Sequence, residues 1–329
     1  MNLVLGAGPA GLIAGYLLRM PVVGEVVGGQ QAEGRLTLGP RIFELTEDSI
    51  KLFESLGIDW QSEVREYRVG YARIGSPTTA TIPNDQFRLD YYRKTRDPNA
   101  ETFPESCLSG GKNVITGIDL DMVVRKLEER VAIIPGRVHY IDRTPRGYQV
   151  TCVTKQDNFL RVSSNLPCES IISTIPLPVL VKTMNKPVEM EQPKSKSTYF
   201  AWVKRDCFDI DPFESEEGKF DYVYFADSAC LFHRATRIGK LYACLEFESK
   251  ERLDAFVKDA IDPDYLVSTR EVKGAQLTNK LGLQEYQGIT LLGRYGTWNH
   301  GVKLEDVVKE VYEYAGEMGI RPEGSSLWI

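Results

Sequence analysis

The chain opens on Asn2-Leu3-Val4-Leu5, where apolar residues follow one another without alternation until glycine closes the run. That pattern predicts a short strand buried on both faces. Beyond the glycines, Leu12-Ile13-Ala14-Gly15-Tyr16-Leu17-Leu18 is apolar on every side and predicts a buried helix, stopped by Pro21. Glu25-Val26-Val27 predicts a second strand, so the N-terminus reads β-α-β. Residues 47–56 carry Ile50, Leu52, Phe53 and Leu56 at helical spacing, and residues 118–130 repeat the pattern. Between them, residues 65–104 are rich in Tyr, Arg and Pro with weak periodicity, which predicts irregular structure with a few strands.

Residues 137–142 and 148–154 read as a strand pair around Pro-Arg-Gly, and residues 170–175 as a strand ended by Pro176-Leu177-Pro178. Aromatic residues alternate along 198–206 and 221–248, as in Tyr199, Ala201, Val203 and in Tyr222, Tyr224. Residues 250–260 read as helical, 289–292 as a strand and 304–317 as a helix. The order runs α/β, then β-rich, then α/β again. It predicts an α/β fold: a Rossmann-like nucleotide-binding lobe (1–60, 110–180 and 285–329) interrupted by a β-rich, α+β substrate lobe (61–109 and 181–284).

Composition changes little in this picture. With 42% hydrophobic and 26% charged residues the chain is ordinary for a globular protein. A net charge of −6 gives no support to a general nucleic-acid surface. The six cysteines form no C-x-x-C and no zinc-like pair of pairs, which points to reduced, partly buried thiols, a cytoplasmic setting and no metal. It also excludes a flavin disulfide reductase, which needs two neighbouring cysteines. The first strand leaves no room for a leader peptide, and no apolar run approaches a membrane span. The expected partner is a small molecule, and the oligomeric state stays open.

The chemistry begins at Gly6-Ala7-Gly8-Pro9-Ala10-Gly11, which has the G-x-G-x-x-G spacing of a dinucleotide loop, between a strand and an apolar helix. Gly6 allows the turn off the strand. Gly8 lets backbone approach a pyrophosphate, and Gly11 lets the helix pack on the sheet. Pro9 and Ala10 open the helix, whose free N–H groups face the phosphates. The ribose carboxylate expected roughly 20 residues further on is replaced by Gln30, a weaker partner for a ribose hydroxyl.

This loop alone fits NAD or FAD. The C-terminal segment Ile289-Thr290-Leu291-Leu292-Gly293-Arg294-Tyr295-Gly296-Thr297-Trp298-Asn299-His300-Gly301-Val302 favours FAD. Gly293 lets backbone approach the pyrophosphate and Arg294 neutralises it. The following helix aims its positive end at the flavin N1–C2=O edge. Trp298, Gly301 and Val302 are the further cofactor-side candidates. No second G-x-G-x-x-G announces a separate nicotinamide domain.

Four segments resemble the flavin amine oxidase and UDP-galactopyranose mutase superfamily: 6–11, Leu38-Gly39-Pro40-Arg41-Ile42-Phe43, Ser173-Thr174-Ile175-Pro176-Leu177-Pro178 and Gly293-Arg294-Tyr295-Gly296-Thr297-Trp298. A fifth, Tyr222-Val223-Tyr224-Phe225 with Phe232-His233-Arg234-Ala235-Thr236, resembles the mutase substrate sheet. The resemblance implies FAD stretched between the two glycine turns. It also implies Val138 on the strand that meets the adenine, and Gly39, Pro40 and Arg41 beside the isoalloxazine. Mutases continue their Gly-Arg-x-Gly into a tyrosine-aspartate segment, where this chain has Trp298-Asn299-His300.

Three functions follow as expectations. The first is amine-oxidase-like oxidation of a C–N or similar bond in a small polar or nucleotide-linked substrate, by hydride transfer to flavin N5. The second is redox-neutral isomerisation of a sugar nucleotide, and the third is non-catalytic binding of a flavin or nucleotide. Arg41, Tyr224, Arg234 and His300 are the catalytic candidates, with His233 beside them. Lys112 and Lys303 are candidate flavin-side lysines, and Ser109–Lys112 a candidate glycine turn. Tyr91, Tyr92, Arg93, Lys94 and Arg96 form a basic aromatic cluster that could help hold an anionic substrate but reads most simply as a solvated loop.

Overall fold

The computed structural model describes residues 1–29, 41–103, 107–108, 112–156, 160–184 and 190–322. Gln30, Gly39, Pro40 and residues 109–111 lie outside them. In chain order the first elements are β1 (Asn2–Leu5), α1 (Pro9–Leu18), β2 (Val22–Gly24), β3 (Ile42–Glu44), α2 (Glu47–Ser55), β4 (Arg65–Ala72), α3 (Asp85–Thr95), β5 (Val114–Asp119), α4 (Leu120–Glu128) and β6 (Ile133–Pro135). Then come β7 (Arg137–Thr144), β8 (Gly147–Gln156), β9 (Leu160–Cys168), β10 (Ser170–Ser173), α5 (Leu177–Met184), β11 (Ser195–Lys204), β12 (Glu214–Ser215) and β13 (Gly218–Lys219). The last are β14 (Tyr222–Phe225), β15 (Arg234–Ile238), β16 (Tyr242–Phe247), α6 (Lys250–Ala255), β17 (Leu266–Leu277), β18 (Glu285–Tyr286), β19 (Ile289–Leu291) and α7 (Leu304–Glu317).

Two sheets carry the molecule. One has six strands in the order β18-β19-β10-β1-β2-β6, parallel except at β18. The other has eight, in the order β17-β11-β16-β15-β14-β4-β5-β3. Two strands from segments expected in the nucleotide lobe, β3 and β5, pair in this second sheet.

The unalternating β1 sits where its pattern requires. Val4 faces the core beneath α1, α4 and α7, while Leu3 and Leu5 face the antiparallel meander β7-β8-β9. Leu12, Ile13, Ala14 and Leu17 of α1 are wholly buried, each larger side chain contributing about 1.5–3 kcal/mol of apolar burial.

Several elements depart from the sequence pattern. The second strand is Val22–Gly24, not 25–27. Arg19 takes a left-handed backbone (φ 54°) at the end of α1, so the chain reverses early. The strand ends at Gly24, where a Cβ would lie 2.3 Å from that of Ala7 in the glycine loop. Ile118 pairs with Phe43 in a strand, and the helix begins only after Asp119, whose carboxylate accepts from Asp121 N. Pro176 starts α5 as well as ending a strand, because its carbonyl accepts from the N–H groups of Val179 and Leu180.

The largest correction falls in 65–104. It holds an eight-residue strand, β4, and the eleven-residue helix α3, capped by Asn84 through Phe87 N–H. Strands β9 and β17 were not expected at all. Among the described residues no helix is long and apolar enough to cross a membrane.

Candidate functional site

A cavity of about 1390 Å³ runs between the carboxyl ends of the parallel strands and the inner face of the eight-stranded sheet. On the parallel-sheet side its wall is mostly backbone. Gly6 leaves β1 with φ 103°, and a Cβ there would lie 2.6 Å from Thr174 Oγ1. A Cβ on Gly11 would lie 1.7 Å from the Gly6 carbonyl oxygen, so that contact between helix and loop admits only glycine. A Cβ on Gly8 would meet nothing within 4 Å and would point into open space. Gly8 caps α1 without a side-chain hydrogen bond, Pro9 follows, and the first turn holds no acidic residue. The helix N-terminus thus presents free N–H groups and a partial positive charge to the cavity.

The C-terminal turn comes to the same place. Gly293 follows β19 with φ 73°, and a Cβ on it would lie 3.0 Å from that of Ala10. Two glycine turns separated by most of the chain therefore meet at the start of one helix. Arg294 stands beside them, its pKa lowered by burial and by the nearby Arg41 and Arg96. Val138, Gly136 and Arg137 line the cavity on the side of Glu25 and Val26.

The opposite wall is made of side chains in strand register. Phe200 pairs with Glu246, Glu246 with Arg234, Arg234 with Tyr224, and Tyr224 with Tyr71. The pairing places these side chains in one row across the sheet. Tyr222 lies on the same face one step along, and Tyr91 of α3 covers the row, its ring 5.5 Å from Tyr224 and 5.9 Å from His233.

Arg234 and Glu246 form a close ion pair in that row. Burial raises the Glu246 pKa, but Arg234 and His233 outweigh it and hold the carboxyl well below its usual range. His233, 2% exposed, sits between Glu246 (3.5 Å) and Glu248 (3.6 Å), and Glu248 pairs with Arg252. The pKa of Arg41 is lowered by burial and by Arg234. None of the ion pairs among the described residues involves Arg41, Arg96 or Arg294.

No family model and no curated protein matches the sequence. The architecture does find similar solved structures. An oxidoreductase from Methanosarcina mazei aligns over 96% of this chain and 99% of its own, at 10% identity and a TM-score of 0.62. A CLA-producing fatty acid isomerase from P. acnes aligns over 97% and 98%, at 9% identity and TM-score 0.65. Aklavinone-11 hydroxylase, solved with FAD and aklavinone, aligns over 96% of this chain and 61% of its own, at 12% identity and TM-score 0.57. The fold is that of FAD-binding oxidoreductases.

Most sequence candidates within the described residues converge on the cavity: Gly6, Gly8, Pro9, Ala10, Arg41, Val138, Tyr224, Arg234, Gly293, Arg294, His300, Gly301 and Val302 all line it. Gly11 lies beneath the loop instead. Trp298 is the clear departure. It is 3% exposed in the core, with a left-handed backbone (φ 52°), and its Nε1 donates to Asn279 Oδ1 at 3.0 Å. Its ring is spent on anchoring the turn that presents His300.

Lys112 and Lys303 both pair with Glu44, at 2.8 and 2.6 Å, and tie β3 to the segment before β5 and to the start of α7. The basic aromatic cluster is not a loop. On α3, Tyr91, Tyr92 and Arg96 line the cavity, while Lys94 donates to the carbonyls of Phe225, Asp227 and Phe232, burial lowering its pKa to about 8. Asn84 as a helix cap was the cue in the sequence. Thr198 and Gln276, buried and lining the same cavity, were marked by nothing in the sequence. Among the described residues no cluster of three or more His, Cys, Asp or Glu is arranged to hold a metal, and all six cysteines are free.

Proposed function

We propose that the protein binds FAD along this cavity and acts as an oxidoreductase on a small polar or nucleotide-linked substrate. The meeting of Gly293 with Ala10 at the uncapped start of α1 carries the reading. It brings Arg294 and the free N–H groups at the start of α1 to the same end of the cavity, which suits a pyrophosphate. Gly136, Arg137 and Val138 would hold the adenine end, and Arg41, His300, Gly301 and Val302 the isoalloxazine end.

When bound, FAD supplies a two-electron acceptor for a hydride from a C–H bond beside nitrogen. The chain's residues make such a substrate ready. Tyr91, Tyr222 and Tyr224 wall the site and exclude water. Arg41 and Arg234 face a single carboxylate, Glu246, so the desolvated pocket is cationic. An amine entering it releases its proton to solvent and stands neutral, with the lone pair that oxidation needs. Redox-neutral isomerisation is the second reading, supported by the fold shared with the fatty acid isomerase.

The test is the visible spectrum of the purified protein, followed by air-free addition of a panel of amines. Flavin absorption that bleaches with an amine supports oxidation. Turnover that needs reduced flavin and transfers no net electrons supports isomerisation. A protein that neither carries nor takes up FAD would falsify both.

A further inference from the structure

His300 and Arg96 come from distant parts of the chain and meet in the cavity, the guanidinium Nη2 lying 2.7 Å from the imidazole Nε2. Arginine has donors only and keeps its proton in proteins. Nε2 therefore accepts, and the neutral ring carries its one hydrogen on Nδ1. That Nδ1 is buried and meets no hydrogen-bond partner among the described residues. Leaving such a donor unsatisfied costs about 1–3 kcal/mol.

The surroundings keep both groups in place. Arg96 ends α3 with its backbone N–H bonded to the Tyr92 carbonyl, and its other guanidinium arm reaches the Leu277 carbonyl at 3.4 Å. His300 rides on the turn anchored by Trp298, where Gly301 N–H donates to Asn299 Oδ1. The charged groups acting on the ring are Arg294, Arg96 and Glu246. Burial and the two arginines outweigh the one carboxylate and push the imidazole pKa down to about 3.

We infer that Arg96 fixes His300 as its Nδ1–H tautomer, and that this N–H, backed by the Arg96 cation, receives an acceptor oxygen, a carboxylate or carbonyl, of the molecule held in the cavity. Arg96 is the positioning residue and His300 the recognition residue. A neutral donor of this kind offers the same hydrogen bond across the working pH range, which an ordinary histidine with a pKa near 6.5 does not. The oxygen belongs either to the substrate or to a carbonyl of the flavin. This deepens the FAD reading and rests on it only for the second source.

The chain has three histidines, at 139, 233 and 300, so nitrogen-15 histidine spectra of the full protein separate them. In the wild type the signals that vanish in His300→Asn should show a protonated Nδ1 and a bare Nε2, unchanged between about pH 8 and about pH 5. In Arg96→Met the ring should lose its fixed tautomer and show Nε2–H as well as Nδ1–H forms, burial and Arg294 still keeping it neutral, and Arg96→Lys, which keeps a donor, should restore the single tautomer. An Nε2–H tautomer or an imidazolium in the wild type overturns the inference and needs no variant to fold.

Titration with FAD alone and with benzoate, an aromatic carboxylate suited to the tyrosine wall, identifies the oxygen. A shift of the Nδ1 signal with FAD alone assigns it to the cofactor. A shift that waits for benzoate assigns it to the substrate, and benzoate affinity should then fall about tenfold or more in Arg96→Met. A signal indifferent to both overturns the recognition role. Flavin absorption that stays with the protein after gel filtration of the FAD-treated samples tests the FAD reading separately: its loss with a benzoate shift retained sinks that reading and leaves this one standing.

Discussion

On one side of the cavity the chain offers backbone. Gly6, Gly8 and Gly293 bring N–H groups and a helix end to the surface, with Arg294 beside them. On the other side it offers side chains, with Phe200, Glu246, Arg234 and Tyr224 in a row and Arg41, Tyr91 and His233 about them. The first wall suits a ligand part that hardly varies, since backbone recognises phosphate by geometry alone. The second can be altered residue by residue without disturbing the turns. The difference teaches where specificity and where cofactor affinity should reside, and substitution can test the division.

The heaviest cost should come from the side-chain wall. Glu246→Gln leaves Arg234 buried without its partner, and we expect a loss of about 3–5 kcal/mol in denaturant unfolding. A loss below about 1 kcal/mol would show that the pair is solvated and that this wall is softer than drawn. Because the folded Glu246 pKa is depressed, its stabilisation is present above the ordinary glutamate pKa and disappears as pH falls through the folded value.

Next comes the backbone wall. Gly11→Ala, with a Cβ driven onto the Gly6 carbonyl, should cost about 3 kcal/mol and abolish FAD uptake. Gly8→Ala should leave stability within about 0.5 kcal/mol and weaken FAD binding, because its Cβ fills only open space. Equal effects from the two would erase the distinction between packing glycine and ligand glycine.

The junction of the walls should show itself through pH. His300 has a pKa near 3 when folded against 6.5 when unfolded, so below pH 6.5 the unfolded chain binds the extra proton. Stability should therefore fall as pH drops from 6.5 toward 3, by up to about 1.4 kcal/mol per pH unit, and His300→Asn should flatten that part of the curve. The smallest effect is reserved for the rim. Lys303→Met removes one of two half-exposed lysines from Glu44, and thermal unfolding should register no more than about 1 kcal/mol.

The legibility of the fold follows the same division. The glycine loop, α1 and α7 were readable because their signals are local: turn chemistry at fixed spacing and apolar faces at helical period. Helix α3 was hidden because its inward face is built of Tyr91, Tyr92, Thr95 and Arg96, residues that look polar until another wall covers them. Strand β17 was hidden because it is an edge strand whose charged residues, such as Arg270, Glu271 and Lys273, blunt it against further pairing.

Sequence alone determined that a β-strand, a glycine turn and an apolar helix follow one another over residues 2–18, and that a second glycine turn with Arg294 follows the strand at 289–291. Each rests on a few neighbouring residues whose backbone conformations are limited by sterics. Only the tertiary structure decided that these two turns touch, that Trp298 is an anchor and not a lining residue, and that Arg96 meets His300. Those facts depend on strand register and on how one sheet lies across the other, and contacts between residues some 200 positions apart, such as Arg96 with His300, leave no periodicity for a sequence to display.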